Sequence, residues 1–406
     1  MKLLVFAHKP PPHHGQSYMV ELLLDALDRD ARAARDAGRG EPFIECHHVD
    51  ARFSSSIQDV GQARWGKVFL AIRYALQAIW IRFRHGVTHF YYVPAFPERT
   101  PVYRDWIVLG LCRPFFSKCI FHFHAVGLGQ WLATQARPWE RWISRRIHGR
   151  PDLSLVLLNA NRDDAQQLSS RRIEVMPNGV PDPCPQFDAE VQPRRAARAA
   201  FRQALFTNAK MAALPEAGSD PQVFRVLFLS LCFRPKGLFD TVEAVALANR
   251  QLPAGTVRVE LTVAGSFWLE SEKKEFEERI RRADLCAGGP QVNYRGFVTG
   301  EEKARLLRES DCLCFPTYYA AESFGLVLVE AMAHGLPVIT TRWRGIPEIL
   351  PPDYPGLVEP RAPEQIAARL LALARGGAPS GLREHFLRHY TVEKFAARMK
   401  QALLDL

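Results

Sequence analysis

The residues best suited to chemistry lie between Glu322 and Glu348, in the run ESFGLVLVEAMAHGLPVITTRWRGIPE. Glu322 and Glu330 are two carboxylates with seven residues between them. Ser323, Phe324 and Gly325 precede an apolar run, and His334-Gly335 precedes a strand-like LPVITT. Ser323 suits a helix N-cap and Gly335 the left-handed position that ends a helix, so a short helix is predicted over 324–334. The amino end of a helix offers backbone N–H groups without carbonyl partners, which favours an anion there. Glu330 then stands about two turns along, roughly 10 Å from the start. An extended ligand with a phosphate near the helix start and hydroxyls on both sides fits this spacing, and a nucleotide sugar has that layout. The spacing alone is a weak signal, because two glutamates eight apart also arise as ordinary surface charges of a helix.

Other groups invite the same weighing. Arg234 and Lys236 precede Gly237 just after a strand-like VFRVLFLS, where two cations suit a diphosphate. Gly15 ends a proline-stiffened loop and opens an amphipathic helix, so close backbone approach to an anion competes with a plain strand–loop–helix connection. His122 and His124 share one strand face but have no third ligand at metal spacing, and a core histidine is the ordinary reading for one of them. Asp28-Arg29-Asp30 has the Asp-x-Asp form of a metal-binding motif, yet it falls within the first predicted helix and reads as surface charge. No metal and no cofactor is expected. Arg99, Tyr103, Arg104 and Asp105 form a polar cluster assigned to an acceptor side.

The elements that must position these groups alternate between short apolar runs and helical stretches, the pattern of α/β layers with parallel sheets. Strands are predicted at 3–7, 43–49, 88–93, 119–124 and 153–159, then at 223–230, 257–265, 292–298, 312–317, 336–341 and 356–360. Helices are predicted at 17–37, 62–84, 101–113, 128–148 and 161–169, then at 237–250, 270–285, 300–309, 324–334, 363–375 and 391–404. A chain of 406 residues suffices for two domains, each with its own core. The division is placed at 1–180, a linker or surface excursion at 181–222, and a second domain at 223–389, with 390–406 crossing back onto the first.

A net charge of +10 favours anionic partners: nucleotide diphosphates or an anionic lipid surface. Nucleic acid is set aside, because charge is present without a recognisable motif. The missing G-x-G-x-x-G after the first strand disfavours a dinucleotide oxidoreductase. The eight cysteines are scattered without a CxxC and read as reduced thiols in a cytoplasmic protein. The opening MKLLVFAHKPPPHHG is broken by prolines too early for a signal peptide and reads as a buried strand and loop. Residues 67–84, KVFLAIRYALQAIWIRFR, are apolar and basic and short of a membrane span. A helix lying on an anionic membrane competes there with a buried helix with basic ends, and the sequence favours the buried one.

The string E-S-F-G-L-x3-E-A-M-A-x-G-x-P-V-I resembles the Glu-x7-Glu signature of glycosyltransferase family 4, retaining enzymes of GT-B fold. PPPHHGQS, FHFHAVG, PNGV, FLSLCFRPKGLFDTVEA, VAGSF, NYRGFV and GIPEI resemble further pieces of that family in the same order along the chain. The resemblance implies two Rossmann-like domains with parallel sheets facing across a cleft. It implies transfer of a sugar from a nucleotide-diphosphate sugar to a saccharide or lipid-linked acceptor, in a setting such as bacterial lipopolysaccharide or exopolysaccharide assembly. By the same resemblance, His124 lies beside the reacting sugar, Glu322 faces the donor sugar hydroxyls and Glu330 the ribose hydroxyls. Lys236 meets the diphosphate, and the N–H groups of Phe324, Gly325 and Leu326 hold phosphate or sugar oxygens. The family's usual pattern Gly-Arg-Leu-x3-Lys-Gly is broken here: Ser230 and Leu231 stand where its glycine and arginine would, which leaves Arg234 to supply the second cation. An epimerase or phosphorylase of the same architecture is the alternative.

Overall fold

The computed structural model describes residues 1–11, 15–36, 38, 42–53, 65–207, 220–284, 291–377 and 381–406. The chain forms two compact units, Met1–Pro181 with Tyr390–Leu406, and Asp182–His389. The predicted glycine loop falls partly, at 12–14, outside the described residues, as do 208–219 of the expected excursion and Cys286.

Among the described residues the first unit holds six parallel strands: β1 (Lys2–Phe6), β2 (Glu45–Val49), β3 (His89–Tyr92), β4 (Lys118–Phe123), β5 (Leu153–Val156) and β6 (Ile173–Val175). Their order is β2-β1-β3-β4-β5-β6. Its helices are α1 (Gly15–Asp36), α2 (Trp65–His85), α3 (Arg99–Cys112), α4 (Leu128–Thr134), α5 (Pro138–Ile147) and α6 (Arg162–Gln167). The inner strands read as unbroken apolar runs because a parallel sheet is covered on both faces. Leu4, Phe90, Phe121 and Val156 are accordingly inaccessible to solvent. The helix predicted over 128–148 is two helices. Pro138 has no N–H to continue α4, and its fixed φ opens α5 instead.

The second unit contains α7 (Gln192–Thr207), β7 (Val223–Leu229), α8 (Leu238–Gln251), β8 (Arg258–Ala264), α9 (Glu270–Asp284), β9 (Gln291–Gly296), α10 (Gly300–Glu309), β10 (Cys312–Phe315), α11 (Leu326–Ala333), β11 (Val338–Thr341), β12 (Leu357–Val358), α12 (Pro363–Ala374) and α13 (Leu382–His389). Its parallel strands run in the order β12-β11-β10-β7-β8-β9. The chain begins this sheet at β7, builds outward through β8 and β9, then returns to the other side of β7 with β10. The order reverses between β7 and β10. In open α/β sheets the crevice beyond the carboxyl ends of such a pair is where ligands bind.

The last helix, α14 (Val392–Leu404), belongs to the first unit. Backbone bonds between Val180 and both Tyr390 and Val392 lead it there, and Lys400 pairs with Asp30 of α1 at 2.8 Å. Asp28 pairs with Arg32 one turn on, so both acids of the Asp-Arg-Asp triplet serve helix surfaces.

Two expectations are corrected. Residues 182–207 are not an excursion but part of the second unit: Arg198, Phe201 and Arg202 of α7 are buried, and both arginines reach Asp311 at the start of β10. Alanine- and arginine-rich composition conceals this, because arginine buries its stem while its guanidinium finds a partner. The buried helix expected at 67–84 is α2, and one side of it faces solvent: Phe69, Leu76, Trp80 and Phe83 are 57–69% exposed. The opposite side, Ala71, Ala75 and Ala78, is fully buried, and its small residues let α2 lie close to the sheet.

Candidate active site in the second unit

β7 ends at Leu229, and the loop that follows closes as a short turn, Arg234–Lys236, before α8. Gly237 ends that turn at φ +81°, and a Cβ there would meet the Pro316 carbonyl at 2.4 Å. Only glycine lets the loops after β7 and β10 approach this closely. The Tyr318 N–H donates to Pro235 O at 2.8 Å and fixes the approach.

This juxtaposition brings Lys236 onto Glu322. The Lys236 Nζ donates to Glu322 Oε2 at 2.6 Å, and Thr317 Oγ1 donates to the same oxygen at 3.2 Å. The two charged side chains are 13% and 8% exposed. The ammonium also lies 5.3 Å from the Phe315 ring centroid and 5.1 Å from that of Tyr319, so aromatic faces share its charge. A cation and a carboxylate are thus held, nearly dry, at the carboxyl ends of β7 and β10.

The helix expected from 324 begins at Leu326, and its N-cap is Gly325 rather than Ser323. Gly325 has φ +71°, and a Cβ would stand 3.1 Å from Ile346 Cδ1, so the chain turns into α11 through a position suited to glycine. Phe324 is buried. The Leu328 N–H donates to Gly325 O at 2.9 Å and opens the helical ladder, and the Leu326 and Val327 N–H groups precede that first bond. Glu330 lies on α11, 15% exposed, and receives Lys303 Nζ of α10 at 2.6 Å. Gly335 takes φ +55° after the helix, the left-handed stop predicted for it.

The carboxyl end of α11 is held from the stretch expected to be an excursion. Arg195 donates to His334 O and Gly335 O at 2.8 and 2.9 Å, and Arg383 donates to Ala333 O at 2.6 Å while gripping Asp182. Cations at this end also oppose the negative pole of the helix. His334 is buried beside them. Burial lowers its pKa to about 4, against the Glu330 carbonyl that receives Nδ1–H.

Arg234 is turned elsewhere. Its guanidinium pairs with Glu275 of α9 at 2.6 Å and stacks 4.3 Å from the centroid of Phe239.

The remaining sequence-derived residues lie in the first unit. Gly15 is the first residue of α1. His124 directly follows β4, half-buried, with its ring centroid 4.1 Å from that of His122. His122 is fully buried on the Tyr91 hydroxyl, and burial, then its neighbour His124, push its pKa well below the usual value. Arg99 and Tyr103 both hold Glu140 of α5, which is inaccessible to solvent. Asp105, 1% exposed, accepts from the Tyr92 hydroxyl, the Ala95 N–H and Arg104. Burial alone would raise its pKa, but Arg104, His148 and the Ala95 N–H together outweigh it and hold it below the ordinary value. Arg99, Tyr103 and Asp105 therefore tie elements of that unit together, and Arg104 pairs with Asp105 on its own helix.

Sequence reasoning missed Thr317, Lys303, Phe315 and Tyr319. CLCFPTYY offered a signal for three of them, since residues just past a strand's carboxyl end line the crevice. Lys303 sits among ordinary charges in GEEKARL, and only the fold connects it to Glu330.

Comparison with known proteins agrees with this geometry. Residues 213–386 match the family model described as Glycosyl transferases group 1. The chain is 34% identical over 164 residues to the amylovoran biosynthesis glycosyltransferase AmsK of Erwinia amylovora, covering 39% of this chain and 37% of that protein. It is 34% identical over 157 residues to D-inositol 3-phosphate glycosyltransferase of Pseudarthrobacter chlorophenolicus, covering 39% of this chain and 34% of that protein. The matched stretches thus span little more than a third of these relatives. The crystal structure of Anabaena Alr3699/HepE in complex with UDP is similar over 100% of both chains, with a TM-score of 0.61 and 16% identity. The chain therefore has the GT-B type of α/β fold, and residues 213–386, most of them in its second unit, are similar to the glycosyl transferases group 1 model.

Proposed function

We propose that the protein is a retaining glycosyltransferase that moves a sugar from a nucleotide-diphosphate sugar to a saccharide or lipid-linked acceptor. The observation that carries this reading is the Lys236–Glu322 pair, 2.6 Å apart where the strand order reverses and beside the start of α11. The UDP in the Anabaena structure supports a nucleotide-sugar donor, and the relatives' names support glycosyl transfer.

Cleaving the bond from sugar to diphosphate places negative charge on the leaving phosphate. Lys236 is the nearest cation, and the amino end of α11, through the N–H groups of Gly325 and Leu326, adds oriented donors. Such preorganised charge acts in the transition state without reorganisation and meets the need without a metal. Glu322 then takes the donor sugar's hydroxyls as Lys236 turns to phosphate, and Thr317 keeps its carboxylate oriented. Glu330, steadied by Lys303, takes the ribose hydroxyls. The acceptor hydroxyl attacks from the side the diphosphate leaves, the phosphate accepts its proton, and no covalent sugar–enzyme intermediate forms.

The test is product analysis with an α-linked nucleotide sugar. The expected product is a glycoside of the same anomeric configuration, seen by NMR, and its formation should be lost in Glu322→Gln. An inverted glycoside, an epimerised donor or a sugar phosphate would each refute the reading.

A further inference from the structure

The catalytic reading leaves unused an exposed apolar stripe on the first unit, on α2. At about 100° per residue, Val68, Ile72, Phe83, Leu76, Phe69 and Trp80 fall within an arc of about 120°. They are 37%, 39%, 67%, 57%, 69% and 61% exposed, so the stripe is apolar along the whole helix and uncovered by the other described residues of the unit. Phe83 extends it onto Phe115, 41% exposed, with ring centroids 5.7 Å apart.

Charge selects the partner. The helix contains no Asp or Glu, and Lys67, Arg73, Arg82 and Arg84 are its cations. On the helical projection Arg73 and Arg84 border one edge of the arc and Arg82 borders the other. Both edges thus carry cations: Arg73 and Arg84 on one, and on the other Arg82, whose Nε donates to Phe115 O at 2.7 Å. An apolar strip with aromatic rings, edged by arginines and free of acids, complements an anionic lipid headgroup layer over acyl chains. A protein partner would more often need pairing of both signs. No helix among the described residues is long and apolar enough to cross a membrane, so α2 can only lie along one.

We propose that α2 is a membrane-docking helix that lies in the surface of an anionic bilayer, with Phe69, Leu76, Trp80 and Phe83 among the acyl chains and Arg73 and Arg84 among the headgroups. This goes beyond the glycosyltransferase reading and does not depend on it.

The experiment is vesicle co-sedimentation of the full chain, with phosphatidylcholine alone or mixed with phosphatidylglycerol, and needs neither donor nor acceptor. Binding is expected to the anionic vesicles and to fall at least about tenfold on phosphatidylcholine alone. The triple change Phe69→Ser, Trp80→Ser and Phe83→Ser should lower anionic-vesicle binding by about tenfold or more. The double change Arg73→Glu and Arg84→Glu reverses the charge on that edge while keeping the apolar stripe itself, and should abolish the preference for anionic lipid. Circular dichroism melting of each variant confirms folding, and either variant alone suffices for the test. The proposal is overturned if the wild type does not sediment with anionic vesicles, or if folded variants bind as well as wild type. It is also overturned if the triple change converts a dimer to a monomer in size-exclusion chromatography, since a second copy would then cover the stripe.

Discussion

Strand β10 carries a buried ion cluster at each end, and the two differ in what they leave unsatisfied. At the amino end, Asp311 is 3% exposed and fully engaged: Arg198 donates twice to Oδ1, and Arg202 and the Arg225 N–H donate to Oδ2. Burial would raise its pKa, but Arg202 and Arg198 together hold it below the ordinary range. At the carboxyl end, Glu322 takes one lysine and one hydroxyl, both on Oε2, beside the amino end of a helix. The amino-end cluster is a closed structural knot. The carboxyl-end pair can exchange partners when an anion and a polyol arrive, and that spare capacity distinguishes a site from a brace.

Breaking the closed cluster should give the largest effect on stability. Asp311→Ala leaves two buried guanidinium groups unpaired and is expected to cost about 3–5 kcal/mol in denaturant unfolding, with turnover per folded molecule little changed. Breaking the open pair should do the reverse. Lys236→Ala or Glu322→Gln is expected to lower kcat by about 10²–10³-fold, with a smaller loss of stability than Asp311→Ala. An equal stability loss at both ends would erase the distinction.

Acid sensitivity sharpens the comparison through His334, at the far end of the site helix. Its pKa is near 6.5 in an unfolded chain and is lowered by burial to about 4 in the fold. The folded state therefore binds fewer protons than the unfolded state between these values. Stability is complete above about pH 6.5 and falls by about 3 kcal/mol as pH drops to about 4. His334→Gln should flatten that acid limb, measured as Tm between about pH 7 and about pH 5. Smaller still, Arg234→Ala is expected to change kcat and donor affinity less than about threefold, because its partner is the exposed Glu275 and such pairs contribute little. A large loss would restore Arg234 as the second cation.

Legibility in the sequence followed the same division. The parallel α/β architecture was readable because buried parallel strands are continuous apolar runs, and LLVFA and VFRVLFLS can be little else. Glu322 and Glu330 were picked out by their spacing within the family-like string, and Lys236 by the Gly237 beside it; Gly237 and Gly325 mark the tight turns at that site. Long-range pairing was not readable. Nothing near Arg198 and Arg202 points to Asp311, more than a hundred residues away, so α7 resembled a surface helix. Short β6, three half-buried residues, and α13 had too few residues for a periodicity to emerge. α2 misled for the opposite reason: its apolar content is high on both faces, and only the fold shows that its alanines face inward and its aromatics outward.

The most direct test of the central claim is a thermal-shift titration with nucleoside diphosphates, since a ligand that binds the folded state alone raises Tm. The account predicts that at least one nucleoside diphosphate raises the Tm of the wild type, and that Lys236→Ala and Glu330→Ala each weaken this by about tenfold or more in the half-saturating concentration. A shift that persists unchanged in both variants, or no shift with any nucleoside diphosphate, would contradict it.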